Sequence, residues 1–242
     1  AGNINEVSGG IVTIRNTGAV VLTGTVSAGA AGTINIDTLG TGTVTGAGTL
    51  TGSFINLQTT AASSGRVGTS SAAPVNTNGT TTLAMGQGNT LQGAYISHTG
   101  GLTVSPVSIA ANQPLDIRSS GALTLPAQDI NTGTAALYLG SGAGLTTAGA
   151  LGTTSGTLTL AAAGAVSLGH NITTTLAGGN LSVTGVGVTQ SAGTISIAGT
   201  TGVSGGAGVI TLTTGTNDFT GAVSLSNSGA NAVQVTDTNA IV

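Results

Sequence analysis

The chain has 242 residues, 43 of them glycine and only 4 proline, with 3 basic and 6 acidic side chains for a formal net charge of -3. Charged residues make up 4% of it, where an ordinary soluble domain carries about 25%, so an ordinary enzyme surface is not expected. Disorder is excluded too, because disordered chains combine low hydrophobicity with high net charge, and this one is 39% hydrophobic.

Ala1 to Gly10 lacks the charged start and apolar middle of a signal peptide. After it the chain repeats one device, a short apolar-polar-apolar triplet with the period-two alternation of a half-buried strand. In the N-terminal third, Val12, Ile34 and Ile55 recur at steps of 22 and 21 residues. The stretch from Thr59 to Thr82 breaks the pattern, with Val67 and Val75 as its only large aliphatic residues. Irregular coils or a protruding loop are expected over 59–82. Beyond it, Leu102, Leu123, Leu145, Val166, Val188 and Ile210 follow at steps of 21, 22, 21, 22 and 22. A second column, Leu115, Leu137, Leu158, Leu181 and Val203, runs at steps of 22, 21, 23 and 22.

Two columns sharing one period imply one coil. The expected fold is all-β, a right-handed parallel β-helix (β-solenoid) of about 22 residues per coil and roughly eleven coils, forming a single solenoid over residues 1–242. The hand follows from the right-handed strand-crossover-strand connection. Helix is disfavoured by recurrent Thr, Val and Ile between closely spaced glycines. Coils stacked about 4.8 Å apart would make a rod on the order of 50 Å long. Ala240-Ile241-Val242 reads as another strand beginning. The coil ends are therefore expected to continue into more of the same solenoid or to self-associate end to end, since an uncapped edge invites pairing.

Few residues carry chemistry. Arg15, Arg66 and Arg118 are the whole basic complement and lysine is absent, too little to neutralise a run of phosphates, so no nucleic-acid partner is expected. No run of 18 or more apolar residues offers a membrane helix. Four aromatic residues, Phe54, Tyr95, Tyr138 and Phe219, fall short of the girdles of a membrane barrel, and the chain is not expected to span a membrane. Without cysteine there is neither a disulfide framework nor a thiolate metal site. Of the acids Glu6, Asp37, Asp116, Asp129, Asp218 and Asp237, only Asp116 and Asp129 lie near each other in sequence. Asp116 reads as the surface ion-pair partner of Arg118. His98 and His170 stand at no metal-ligand spacing and read as exposed turn histidines. No catalytic residue, metal or cofactor is expected.

The one regular constellation is an outward hydroxyl ladder: Thr103, Thr124, Thr146, Ser167, Thr189 and Thr211. An ice-binding face would need a second regular file, and the residues two positions on are Ser105, Pro126, Ala148, Gly169, Ser191 and Thr213. The ladder therefore reads as the preference of threonine for outward strand positions. Asn35 and Asn56, one coil apart, are placed to form a short amide ladder.

The C-terminal segments Asn217-Asp218-Phe219-Thr220-Gly221-Ala222-Val223-Ser224-Leu225, Asn227-Ser228-Gly229-Ala230-Asn231 and Thr236-Asp237-Thr238-Asn239-Ala240 resemble the β-strand repeats of filamentous-haemagglutinin-like exoproteins and related autotransporter adhesins. The resemblance implies a right-handed β-helical rod exported to the bacterial surface. The Asn-Pro-rich motif of the secretion domain in such proteins is not evident here, which favours a mid-shaft segment. The expected function is thus a non-catalytic, extracellular shaft segment of an adhesin or fibre, with a host or surface glycan or protein receptor as its partner. Its rivals are a self-assembling filament subunit and a glycan-binding or glycan-cleaving β-helix using Asp116, Asp129 and Tyr138.

Overall fold

The structure is a computed structural model that describes residues 3–6, 8–39, 42–59, 65–79, 81–87, 89–125 and 127–241. Among the described residues all regular structure is β, in 30 short strands. The paired strands of neighbouring coils run parallel, so the chain is a parallel β-solenoid of about 10 turns spaced about 22 residues apart. The expectation was eleven coils. The difference lies partly in one long coil described below. The chain divides into two compact units, Ala1–Ala110 with Pro114–Gly121, and Ala111–Gln113 with Ala122–Val242.

The second unit is the more regular, with three strands to a coil. Its first face stacks Leu123–Leu125, Leu145–Thr147, Val166–Leu168, Val188–Gln190, Ile210–Leu212 and Val233–Val235. The second stacks Ile130–Asn131, Leu151–Thr153, Ile172–Thr174, Ile195–Ile197 and Asp218–Phe219, and the third Leu137–Ser141, Leu158–Ala162, Leu181–Thr184, Thr201–Ser204 and Val223–Ser226. Alternation sends every second side chain inward, so one aliphatic sits on the next. Leu123, Leu145, Val166, Val188 and Ile210 are register neighbours and all fully buried. The first sequence column is therefore a physical stack. The second column holds for Leu137, Leu158 and Leu181 but slips at its end: Leu181 pairs with Thr201, and Val203 pairs with Val183. That coil is shorter than its neighbours, so a buried threonine takes the seat of a leucine, and its Oγ1 has no hydrogen-bond partner.

At the corners some main-chain hydrogen bonds between coils persist, such as Gly164 N–H to the Ala143 carbonyl and Leu176 N–H to the Thr154 carbonyl, and side chains supplement them. Inward hydroxyls close the turns: Thr132, Ser141, Thr153 and Thr174 donate to the carbonyls of Ala135, Gly144, Gly156 and Gly179 at 2.9, 2.8, 2.5 and 2.7 Å. Between coils, the side-chain oxygens of Asn112, Asp129, Asn171 and Asn180 accept the N–H groups of Thr134, Ala150, Thr194 and Thr200 at 2.8 to 3.0 Å. Both devices satisfy backbone groups that would otherwise lose a partner. Deeper in, Gln190 and Asn217 exchange two amide hydrogen bonds of 2.8 Å each, and Asn217 also accepts the N–H of Ile195. A polar pair this buried is tolerated because its members are satisfied.

In the first unit one sheet stacks Ile11–Asn16, Thr33–Thr38, Phe54–Thr59, Thr81–Met85 and Leu102–Val107. The other stacks Ile4–Asn5, Val26–Ser27, Thr49–Thr51, Val75–Asn78, Ala94–Thr99 and Leu115–Ser119, with Val20–Val21, Thr43–Thr45 and Arg66–Val67 as a short side branch. Val12, Ile34, Ile55, Leu83 and Val104 form its inward stack. The step from Ile55 to Leu83 is 28 residues, longer than the period. Within 59–82, residues 60–64 and 80 lie outside the described residues. Arg66–Val67 and Val75–Asn78 are ordinary rungs, with Val67 and Val75 buried. The departure is a tongue over 69–74, held by the antiparallel bridge of Ser70 with Ala73 and exposed at Ser71, Ala72 and Ala73.

Two substitutions separate what the coil requires from what it tolerates. A Cβ on Gly149 would lie 1.8 Å from the carbonyl oxygen of Gln128, whereas one on Gly215 meets nothing within 4 Å. Gly149→Ala is expected to destabilise by several kcal/mol, as overpacking and backbone displacement do, and Gly215→Ala to be neutral or to stabilise by about 0.4–1 kcal/mol. Leu160→Ala, which opens the stack of Leu139, Leu160 and Val183, is expected to cost about 2–5 kcal/mol. Urea unfolding of the three variants checks all of this.

Candidate functional site

The hydroxyl ladder stands where its spacing puts it. In the second unit Thr124, Thr146, Ser167, Thr189 and Thr211 are consecutive register neighbours. Thr124, Thr146 and Thr189 are exposed, and Ser167 and Thr211 half-buried. Thr103 belongs to the first unit, where it pairs with Thr82. Of the second file, Ala148, Ser191 and Thr213 are exposed, and Pro126 lies outside the described residues. The other faces carry hydroxyls as well. The third runs Tyr138, Thr159, Ser182, Gly202 and Ser224, and the second includes Thr173 beside Ser196. Small hydroxylated side chains are thus the general clothing of this unit, and the ladder is one instance.

The histidines differ from each other. His170 is exposed in a bend, as expected. His98 is not an exposed turn residue: it points inward from the strand Ala94–Thr99 and is 2% exposed. Its Nδ1 is 2.8 Å from the Thr77 hydroxyl, and its Nε2 is 2.8 and 3.1 Å from the carbonyls of Gly79 and Gly101. Two carbonyls can only accept, so the proton sits on Nε2 and Nδ1 accepts from Thr77. The reason for the departure is register. Thr77 and His98 are Cα partners on adjacent rungs, and both sit at inward positions where a corner needs polar closure.

The acids are spoken for. Arg118 Nε and Nη2 donate to the two carboxylate oxygens of Asp116 at 2.9 and 3.0 Å, a forked pair of the kind that fixes geometry. Asp116 is more enclosed than a surface pair, at 8% exposure. Arg15 pairs with the buried Asp37 at 3.3 Å. Asp129 accepts the Ala150 N–H, Asp237 the Phe219 N–H and Asp218 the Asn239 amide. Hydrogen bonds from the Ser8 hydroxyl, and from the N–H groups of Gly10 and Ser8, hold the Glu6 carboxyl below its ordinary range. No group of three or more His, Cys, Asp or Glu that could hold a metal occurs among the described residues. Asn35 and Asn56 are register partners, but the buried Oδ1 of Asn56 accepts no hydrogen bond.

Residues 169–226 match a family model described as repeats of unknown function (DUF5649). No curated protein and no solved structure matches the chain. The matched stretch runs from the corner before Ile172–Thr174 to the end of Val223–Ser226, within the second unit. The chain is therefore a β-strand repeat protein. No helix among the described residues is long and apolar enough to cross a membrane.

Sequence reasoning missed the neighbourhood of Asp116. Tyr95 is its register partner one rung away, and Ser97 is that of Arg118. The signal was available, since Tyr95 precedes Asp116 by one 21-residue step. Ser71 and Pro74 join these residues around a small slot, and no spacing rule could have placed a tongue there.

Burial holds the pKa of His98 below its usual 6.5, with the carbonyls of Gly79 and Gly101 opposing more weakly. The unfolded chain binds the proton more readily, so the stability that neutral His98 contributes is complete above pH 6.5 and is lost as pH falls from there toward the folded value. Unfolding free energy is expected to decline as pH falls below about 6.5, with a shallower decline in His98→Gln. Urea titrations at stepped pH check this; equal slopes in both proteins would contradict it.

Proposed function

We propose that the chain is a non-catalytic structural β-solenoid that works outside the cell, as a shaft segment of a secreted or surface-anchored bacterial adhesin or extracellular fibre. The observation that carries the reading is the division of labour along each rung. Inward positions hold a continuous aliphatic stack, and outward positions in the second unit hold Thr, Ser and Gly files almost without charge. Such a body stays folded through inter-coil contacts alone, needs no disulfide or metal, and presents a surface whose hydration depends little on salt. The absence of lysine also leaves few sites for proteases that cut at basic residues. The C-terminal resemblance to filamentous-haemagglutinin-like repeats supports the bacterial surface as the setting.

On this reading the coil edges meet further coils, from the same parent chain or a second copy, because parallel strands pair with whatever continues their register. The carboxylate of Asp116, engaged on both oxygens by Arg118, supports a non-catalytic role over a glycan-cleaving one. Immunogold labelling of intact cells of the source organism tests the proposal. Label on the outer surface or on shed fibres is the expected result, and label confined to the cytoplasm of sectioned cells would overturn it.

A further inference from the structure

The tongue over 69–74 contributes to the walls of two depressions of the first unit. One is a slot of about 60 Å³ lined by Ser71, Pro74, Tyr95, Ser97, Asp116 and Arg118. The other, of about 370 Å³, is walled by Gly46, Ala47, Ala72, Ala73 and Asn76, with Pro74 common to both. Three hydroxyl-bearing residues, Tyr95, Ser71 and Ser97, line the slot, and none of their side chains makes a hydrogen bond among the described residues. The Asp116–Arg118 fork shares the lining, with the Asp116 side chain 12% and the Arg118 side chain 50% exposed.

We propose that this surface binds a neutral glycan, with ring hydroxyls in the slot and an adjoining sugar ring in the larger depression. The charge arrangement selects the class. Carboxylate and guanidinium cancel, so an anion meets Asp116 and a cation meets Arg118 with no net gain. A neutral hydroxyl both donates and accepts, and it can use the second lone pair that each Asp116 oxygen keeps after pairing with Arg118. Tyr95 offers an apolar ring beside a polar tip, the combination suited to a ligand with C–H faces and hydroxyl edges. Size agrees. At about 10–15 Å³ of such space per water-sized group, the slot admits a few hydroxyls and no whole ring. The larger depression falls within the roughly 300–1,000 Å³ of small-ligand pockets, and its Gly and Ala walls leave room for a ring. The site goes beyond the shaft role and does not depend on it, since binding is read on the isolated chain and location on cells.

Calorimetric titration of the purified full chain with neutral tetrasaccharides of glucose, galactose, mannose and N-acetylglucosamine tests the site, with sialylated and sulfated glycans in parallel. Binding of at least one neutral glycan with Kd of about 1 mM or tighter is expected. Tyr95→Ala should weaken it about tenfold or more with unchanged circular dichroism. Ser71→Phe, on the exposed tongue where folding is not at stake, should abolish it by filling the slot. Absence of neutral-glycan binding, affinity unchanged in Ser71→Phe, or a preference for the acidic glycans would each overturn the proposal.

Discussion

Everything in this protein follows from one constraint, the inter-coil ladder of parallel main-chain hydrogen bonds. Each rung is held only by the rungs above and below it, about 4.8 Å away, so a residue is judged by what stands one coil distant. That is why Leu123, Leu145, Val166, Val188 and Ile210 can be nearly the same residue. An aliphatic side chain placed on its like in register fills the interior without a jigsaw of different shapes. It is also why helix is absent among the described residues, since a helical turn has no ladder to offer its neighbours.

The ladder is also the source of the protein's difficulties. At each corner the strand direction changes and some main-chain groups lose their ladder partners. Glycine lets coils approach closely there, as at Gly149 against Gln128. Ser, Thr, Asn and Asp supply the missing hydrogen bonds, inward to the turn carbonyls or upward to the next coil. The composition that looks so unusual in the sequence is therefore divided between two tasks. Aliphatics serve the faces, and glycine with small polar residues serves the corners.

This division explains how far the fold could be read without coordinates. The two aliphatic columns were legible because a stack of buried leucines and valines repeats with the ladder itself, and Val12, Ile34 and Ile55 extended it into the first unit. The third strand of each coil does not stand out in the sequence, although Ile130, Leu151, Ile172 and Ile195 recur with the same period, because on three of its rungs the inward corner position is a threonine, Thr132, Thr153 or Thr174. Val203 was misplaced because apolar spacing cannot tell a shortened coil with a buried Thr201 from a regular one. His98 was misread for a related reason. Turn-like neighbours in sequence say nothing about Thr77 one rung away, and it is Thr77 that makes an inward histidine tolerable.

The same logic locates chemistry on such a body. A periodic surface repeats its side chains, so different groups seldom meet on it. Convergence requires a departure from the period, and the 28-residue step between Ile55 and Leu83 provides one. The surplus chain rises as the tongue, whose Ser71 and Pro74 line one slot with Tyr95, Ser97, Asp116 and Arg118, residues that the register had already brought side by side on adjacent rungs. A tyrosine and a forked ion pair on an open face would be solvated and individually weak. Walled by Ser71 and Pro74, they become a site with an inside. In a solenoid the ladder supplies adjacency, and recognition has to come from the coil that breaks step.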